Sequence, residues 1–393
     1  MGHIQTKLRD GDAHTRSEKS LFQSIREEDI GPRTKRSASS PTGIGRASIK
    51  KDETKVTNVL VLSQDEDGNK MVNNYCFMRT IGKGSYGKVK LCIDNNNRPY
   101  AVKVLNKSAL KRVKKGDETA YSDVLREIAI NKKLNHENCV RLFEVIDDPS
   151  NDKLYLVLEY VSNGSIKTDT ALSEDKSKQY LQHIINGLEY LHSQKIYHRD
   201  IKPENLLLSK DDVVKLSDFG VSHLSTTDDD TLKVTAGTPA FLAPEACSEA
   251  PYSGRAADVW AVGVSLYMMC FAESPFSGDS YMEIYQSIIN KELVIPDSAS
   301  PDLRDILTRL LDKNPKTRIT IPEIRKHSFM VHVTSPNKYE KIKVSQKEVD
   351  DAVLTGTRSN VGEKQVVMDV RNHGQDHLST NSINRQFSVV ESL

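Results

Sequence analysis

The 393-residue chain has few cysteines, and the five present, Cys76, Cys92, Cys139, Cys247 and Cys270, include no CxxC pair. An odd, scattered set excludes a disulfide framework or a zinc cage and fits a reduced intracellular compartment. Charge of one sign is also lacking, because 55 Lys+Arg against 54 Asp+Glu leave a net charge of +1. Affinity built on phosphate neutralisation needs a basic excess, so a nucleic-acid partner is not expected. Long hydrophobic runs are missing too: the longest, Val259 to Ala272, contains Ser265 and falls short of the about 20 residues that span a bilayer. It reads as a buried helix. No basic n-region with an apolar h-region opens the chain, so secretion is not expected.

What is present centres on His198 to Gly220. The run His198-Arg199-Asp200-Ile201-Lys202-Pro203-Glu204-Asn205 is followed, after a short apolar strand and a polar turn, by Lys215-Leu216-Ser217-Asp218-Phe219-Gly220. This spacing aims Asp200, Asn205 and Asp218 at one phosphoryl centre. Asp200 is placed to accept or orient the proton of an attacking hydroxyl, and Asn205 and Asp218 to hold Mg²⁺ on phosphates. Upstream, Ile81-Gly82-Lys83-Gly84-Ser85-Tyr86-Gly87-Lys88-Val89 turns an alternating strand pair around three glycines, whose backbone can approach phosphates unobstructed. A dinucleotide site would need a helix directly after the glycines, whereas Lys88 to Ile93 continues as a strand.

These stretches, in this order, resemble the protein kinases. The resemblance implies an α+β, bilobal protein kinase fold, with a small β-rich N-lobe over residues 75–161 and a large α-helical C-lobe over 162–330. It further implies ATP and Mg²⁺ as cofactors and a catalytic set of Asp200, Lys202, Asn205, Asp218, Lys103 and Glu127. Lys103 lies in the strand Tyr100 to Leu105 and belongs beside the α- and β-phosphates, with Glu127 as its charge partner. The nucleotide would be enclosed by Ile81, Gly82, Gly84, Ser85, Gly87, Val89, Ala101, Lys103, Leu158, Glu159, Val161 and Leu207. Asn131 departs from the pattern, standing where the family places an apolar side chain directed toward Phe219. A less firmly held Glu127 helix is the expectation.

The loop after Gly220 runs to Ala243-Pro244-Glu245, with Glu245 expected to pair with Arg318 and Asp258 to bond the catalytic loop. Arg199 is the residue type that binds a loop phosphate, with Thr235 the first candidate for modification and Thr231 the second. Thr238 bridging Asp200 and Lys202 favours Ser/Thr substrates. Glu118 to Ile128 and Phe143 to Pro149 resemble the calcium/calmodulin-dependent protein kinase kinases and the plant kinases that activate SNF1-related kinases. A protein substrate is therefore implied, the catalytic subunit of a SNF1/AMPK-type kinase, to be phosphorylated on its activation-loop threonine. The Arg/Pro-rich insert of that branch is reduced to Lys111 to Gly116, without proline.

Residues 1–70 carry the Ser/Thr/charged composition of a disordered tail. Met1-Gly2-His3-Ile4-Gln5-Thr6 fits the N-myristoylation pattern, and eleven Lys/Arg against six Asp/Glu up to Lys51 would supply the second signal for weak membrane association. Ser37, Ser39, Ser40 and Ser48 follow basic residues, and Arg385-Gln386-Phe387-Ser388 is similar. Residues 331–393 read as mostly disordered, with a short helix near 345–354 begun by a Ser345/Glu348 capping box and stapled by Val344 and Val349. The stretch from Thr355 lacks a basic, aromatic-anchored amphipathic segment, which argues against calmodulin as a partner. The expected location is the cytoplasm, with nuclear or peripheral-membrane pools as alternatives.

Overall fold

The computed structural model describes residues 54–353 apart from 85–86, 116–117, 226–227, 249, 331–338 and 340–343. Gly2, the tail serines Ser37, Ser39, Ser40 and Ser48, Ser85 and the Arg385–Ser388 stretch lie outside the described residues.

The first part is an eight-stranded sheet. Its strands are β1 (Lys55–Thr57), β2 (Leu62–Gln64), β3 (Lys70–Val72), β4 (Tyr75–Gly84), β5 (Gly87–Asp94) and β6 (Pro99–Asn106). After a two-stranded ladder, β7 (Lys114–Lys115) and β8 (Glu118–Thr119), come β9 (Leu142–Asp147) and β10 (Lys153–Glu159). The order is β1-β9-β10-β6-β5-β4-β3-β2, with β1 parallel to β9 and the other pairs antiparallel. The edge strands β1 and β2 are separated only by residues 58–61, which reach at most about 18 Å. Eight flat strands would set their edges about 33 Å apart. The sheet must curl; Val61 and Asn73 extend the β2–β3 pairing by one step, Val61 N–H to Asn73 Oδ1 at 2.8 Å and Asn73 N–H to Val61 O at 2.9 Å, while the Leu60 N–H donates to Asp148 Oδ2 at 3.1 Å just past β9.

Residues 55–70, expected to belong to a disordered tail over 1–70, instead supply β1 and β2, whereas residues 1–53 lie outside the described residues. Three-residue strands are too short to show an alternation; pairing across the sheet, Lys55 with Glu144 and Leu62 with Val72, is what orders them. Alternation is visible in the longer strands. Phe77, Cys92, Val102, Tyr155 and Val157 pack on one face, while Leu105, Leu154 and Leu156 face the helix Ala120–Asn131. That helix starts where Thr119 Oγ1 accepts from Ser122 N–H, leaving the chain free to turn out of β8.

The second part is helical. Ser173 caps the helix Glu174–Ser193, whose Leu181, Ile184, Ile185, Leu188 and Leu191 are fully buried at helical spacing. It packs on the helix Gly254–Phe271, which contains most of the longest apolar run and is buried nearly all round. Trp260, the single tryptophan, stacks on Phe276 at 5.5 Å there. Among the described residues no helix is long and apolar enough to cross a membrane. The α+β two-lobed fold expected from the motifs is the fold found.

Candidate active site

Each catalytic candidate is held by a short element that ends at the cleft. In β6 the side chains alternate, so Ala101 and Lys103 share one face; β5 aligns Val89 opposite Lys103, and β10 aligns Leu156 opposite Lys103 and Leu158 opposite Ala101. Gly82 pairs with Val89 and Gly84 with Gly87 at the tip of the β4–β5 hairpin. A Cβ on Gly87 would stand 1.9 Å from the Val104 carbonyl oxygen, so only glycine lets the hairpin lie this close to β6. Ile81 is half-exposed at the mouth, Val161 is buried where the two lobes join, and Leu207 approaches from the second lobe in a strand Leu206–Leu208. The Val161 N–H donates to no acceptor among the described residues.

Lys103 Nζ stands 3.2 Å from Glu127 Oε1 and 3.2 Å from Asp218 Oδ1. Burial pulls the ammonium's pKa down, but the two carboxylates more than offset it, and the net shift is upward. Burial raises the pKa of Glu127, with Lys103 opposing, whereas Lys103 above all holds Asp218 below the ordinary carboxylate range. Asp218 is thus a half-exposed anion facing the cleft. It adopts φ +60°, as Arg199 adopts φ +68°; both are left-handed conformations that L-residues rarely take. The surroundings hold them there. Buried Asp258 accepts from the His198 and Arg199 N–H groups at 2.9 and 2.8 Å and bonds His192 Nε2 at 2.9 Å. His198 in turn meets the Ser217 carbonyl at 3.1 Å and Phe219 at a ring separation of 5.2 Å.

Asp200 receives three groups. Thr238 donates to Oδ1 through Oγ1 at 2.7 Å and N–H at 3.0 Å, and Lys202 Nζ lies 3.1 Å from Oδ2 and 2.6 Å from Thr238 Oγ1. Asn205 Nδ2 donates to the Asp200 carbonyl and to Oδ2, both at 2.9 Å, which fixes the amide with its oxygen turned away. Gly237, at φ +114°, makes the approach of Thr238 feasible, because a Cβ there would be 2.2 Å from the Arg199 carbonyl oxygen. The carboxylate of Asp218 and the amide oxygen of Asn205 are hard oxygen donors that suit a divalent cation. Among the described residues no three His, Cys, Asp or Glu converge as a self-sufficient metal cage, so phosphate oxygens would complete the shell.

The structure thus brings together Lys103, Glu127 and Asp218 in one cluster and Asp200, Lys202 and Asn205 in another, with Val89, Ala101, Leu158 and the hairpin glycines above. Glu159 plays a further part, its carboxylate pairing with Lys215 at 3.0 Å and its N–H with the Arg141 carbonyl. The loop threonines sit differently from one another. Thr235 Oγ1 donates to the Ala246 carbonyl at 2.9 Å, and Thr231 Oγ1 to Asp229; Arg199 Nη2 reaches the Val234 carbonyl, one residue short of Thr235. Sequence reasoning missed His192, His198, Ser217 and Gly237 as positioning groups. His198 and Ser217 stand inside the two quoted runs and Gly237 beside Thr238, whereas His192 offered no signal. A cavity of about 420 Å³, lined in part by Phe77, Lys88, Lys90, Val104 and Tyr155, opens on the opposite face of the sheet and takes no part in this site.

The protein kinase domain family matches residues 75–330. Serine/threonine-protein kinase GRIK1 of Arabidopsis thaliana is 45% identical over 282 residues, covering 70% of this chain and 71% of its own length. A probable serine/threonine-protein kinase of Dictyostelium discoideum is 46% identical over 327 residues, 80% of this chain but 47% of the relative, so this chain spans about half of that protein. The calcium/calmodulin-dependent protein kinase kinase of Caenorhabditis elegans is 40% identical over 325 residues, covering 75% of this chain and 60% of its own length.

Proposed function

The chain belongs to the protein kinase family as a serine/threonine kinase, and from that premise we propose that it is an upstream kinase that phosphorylates the activation-loop threonine of a SNF1/AMPK-type kinase. Protein substrates, ATP and a divalent metal follow from the family; Mg²⁺ is our assignment for the metal. The similarity to GRIK1 and to the nematode kinase kinase supports the substrate class.

The observation that carries the catalytic reading is the Asp200–Lys202–Thr238 triangle. A serine or threonine hydroxyl brought to Asp200 finds a carboxylate oriented by Thr238 and Asn205 to accept its proton as the oxygen attacks the γ-phosphorus. Lys202, 3.1 Å from the same carboxylate, can offset charge building on the transferred group. Lys103, held by Glu127, draws the α- and β-phosphates into register with that hydroxyl, and ADP departs. Asn205 and Asp218 would hold the metal, which neutralises charge on the β- and γ-phosphates when bound. A binding-only scaffold would have no use for this assembled set.

The test is labelling of a catalytically dead SNF1-type kinase domain by the purified chain with MgATP. Asp200→Asn is expected to lower the rate by about 10² to 10⁴ while binding persists. Equal labelling by wild type and variant would sink the assignment. The rate is expected to be the same with and without calcium-calmodulin.

A further inference from the structure

Residues 344–353 pack against the other lobe from the one that precedes them in sequence. Tyr339 sets edge-on against His136 and Tyr190, at ring separations of 5.6 and 5.0 Å, just beyond the end of the Glu127 helix. The short helix Gln346–Asp350, opened by reciprocal bonds between Ser345 and Glu348, then lies against the helix Ala120–Asn131 itself. Ala352 and Val353, 0% and 1% exposed, join the apolar cluster of Tyr121, Val124, Ile128 and Leu142. Val344 and Val349 pack on the same cluster. Two polar ties finish the contact: Lys132 Nζ donates to the Ala352 carbonyl at 2.7 Å, and Lys133 Nζ pairs with Glu348 Oε1 at 2.6 Å.

Apart from Leu142 on β9 and the Tyr339 ring contacts, these contacts fall on the helix that carries Glu127 or on the two lysines that follow it. Val124 and Ile128 bracket Glu127 along the helix, and Lys132 and Lys133 close its end. At the cleft the same helix is tied through Glu127 to Lys103 at 3.2 Å, while Asn131 at its C-terminal end is buried with no hydrogen-bond partner for Oδ1 among the described residues. Beyond its packing on Leu105, Leu154 and Leu156 and its one ion pair at the cleft, the helix gains fixed position from what covers its outer flank. Here the cover is the chain's own segment.

We propose that residues 344–353 are an intramolecular latch that positions the Glu127 helix, with Glu348, Ala352 and Val353 acting as positioning residues for the Lys103–Glu127 pair. The latch rests on the assignment of Lys103 and Glu127 to the phosphate site. Occupation of the groove by this segment sets the catalytic rate, and whatever displaces the segment slows the enzyme.

The experiment uses the full chain, MgATP and a generic unstructured Ser/Thr-rich protein substrate, so that it does not depend on the physiological target. Val353→Asp is expected to lower kcat at least tenfold with little change in the substrate KM. A synthetic peptide of residues 343–356 added in excess is expected to restore most of the rate, and the same peptide carrying Val353→Asp is expected not to. Lys133→Glu and Glu348→Lys are each expected to slow the enzyme, and the double exchange to recover it. Full activity of Val353→Asp would overturn the latch, as would a loss that neither the peptide nor the charge exchange recovers, since that is simple structural damage. Lys103→Met separates the two ideas: if it remains active, the phosphate-site assignment fails, whereas an inactive Lys103→Met beside a fully active Val353→Asp removes the latch alone.

Discussion

Glu245→Gln is the sharpest perturbation of the anchor between the Pro244–Cys247 turn and Arg318. Arg318 is 3% exposed, and its guanidinium meets Glu245 in a two-pronged pair, Nη1 to Oε1 at 2.6 Å and Nη2 to Oε2 at 2.8 Å. Two further donors are used: Nε reaches the Asp312 carbonyl at 2.9 Å and Nη1 the Ala256 carbonyl at 2.8 Å, and the plane lies 5.0 Å from the Trp260 ring. With every other partner a neutral group, Glu245 alone balances the buried charge. Removing one partner of such a pair costs about 3 to 5 kcal/mol, because the survivor stays desolvated. At a urea slope of about 3 kcal/mol per molar, the unfolding midpoint falls by about 1 M or more. Trp260, the single tryptophan, reports the transition directly by fluorescence. Arg318→Met is expected to cost a similar amount, and the double variant much less than the sum, since it leaves no unpaired charge. Additive costs, or a Glu245→Gln effect below about 1 kcal/mol, would refute the reasoning and make the pair equivalent to an exposed one.

Two further outcomes follow from buried polar groups. Asn131→Leu removes a buried amide whose Oδ1 has no partner among the described residues, and is expected to raise stability by about 1 to 3 kcal/mol, read as a higher melting temperature; a lower one would mean that the amide is satisfied. Burial first, then Lys215 and Arg325, depress the pKa of His136 from 6.5 to about 4. The unfolded chain then binds the extra proton between those values, so stability is lost as pH falls from about 6.5 to about 4. His136→Gln is expected to flatten that acid-side slope in denaturant titrations at several pH values, and an unchanged slope would assign it to other groups.

Much of the site was legible before the fold was known, because its signals are local. Asp200, Asn205 and Asp218 lie within nineteen residues, and Gly82, Gly84 and Gly87 stand together in one short run, of which Gly87 is the one whose Cβ would collide with the Val104 carbonyl. The helix Glu174–Ser193 is local in the same way, since its apolar Leu181, Ile184, Ile185, Leu188 and Leu191 recur along one stripe. The strands β1 and β2 were not legible, since strands of three residues have no period and are held by partners 89 positions away, for β1, or by the hairpin closing onto Val72, for β2.

The sequence by itself determined the chemistry: which groups could meet a phosphate, and that a hydroxyl would be the acceptor. Tertiary structure alone decided whether they meet. Lys103 lies 24 residues from Glu127 and 115 from Asp218, and it is the curled sheet and the packed helix that bring each carboxylate to 3.2 Å from its ammonium. The same holds for the strained Arg199 and Asp218 backbones, held by Asp258 and His198, and for residues 344–353, whose capping box could be read but whose place on the Glu127 helix could not. Local geometry is written in neighbours along the chain, whereas burial and charge pairing depend on surfaces that exist only once distant segments have packed.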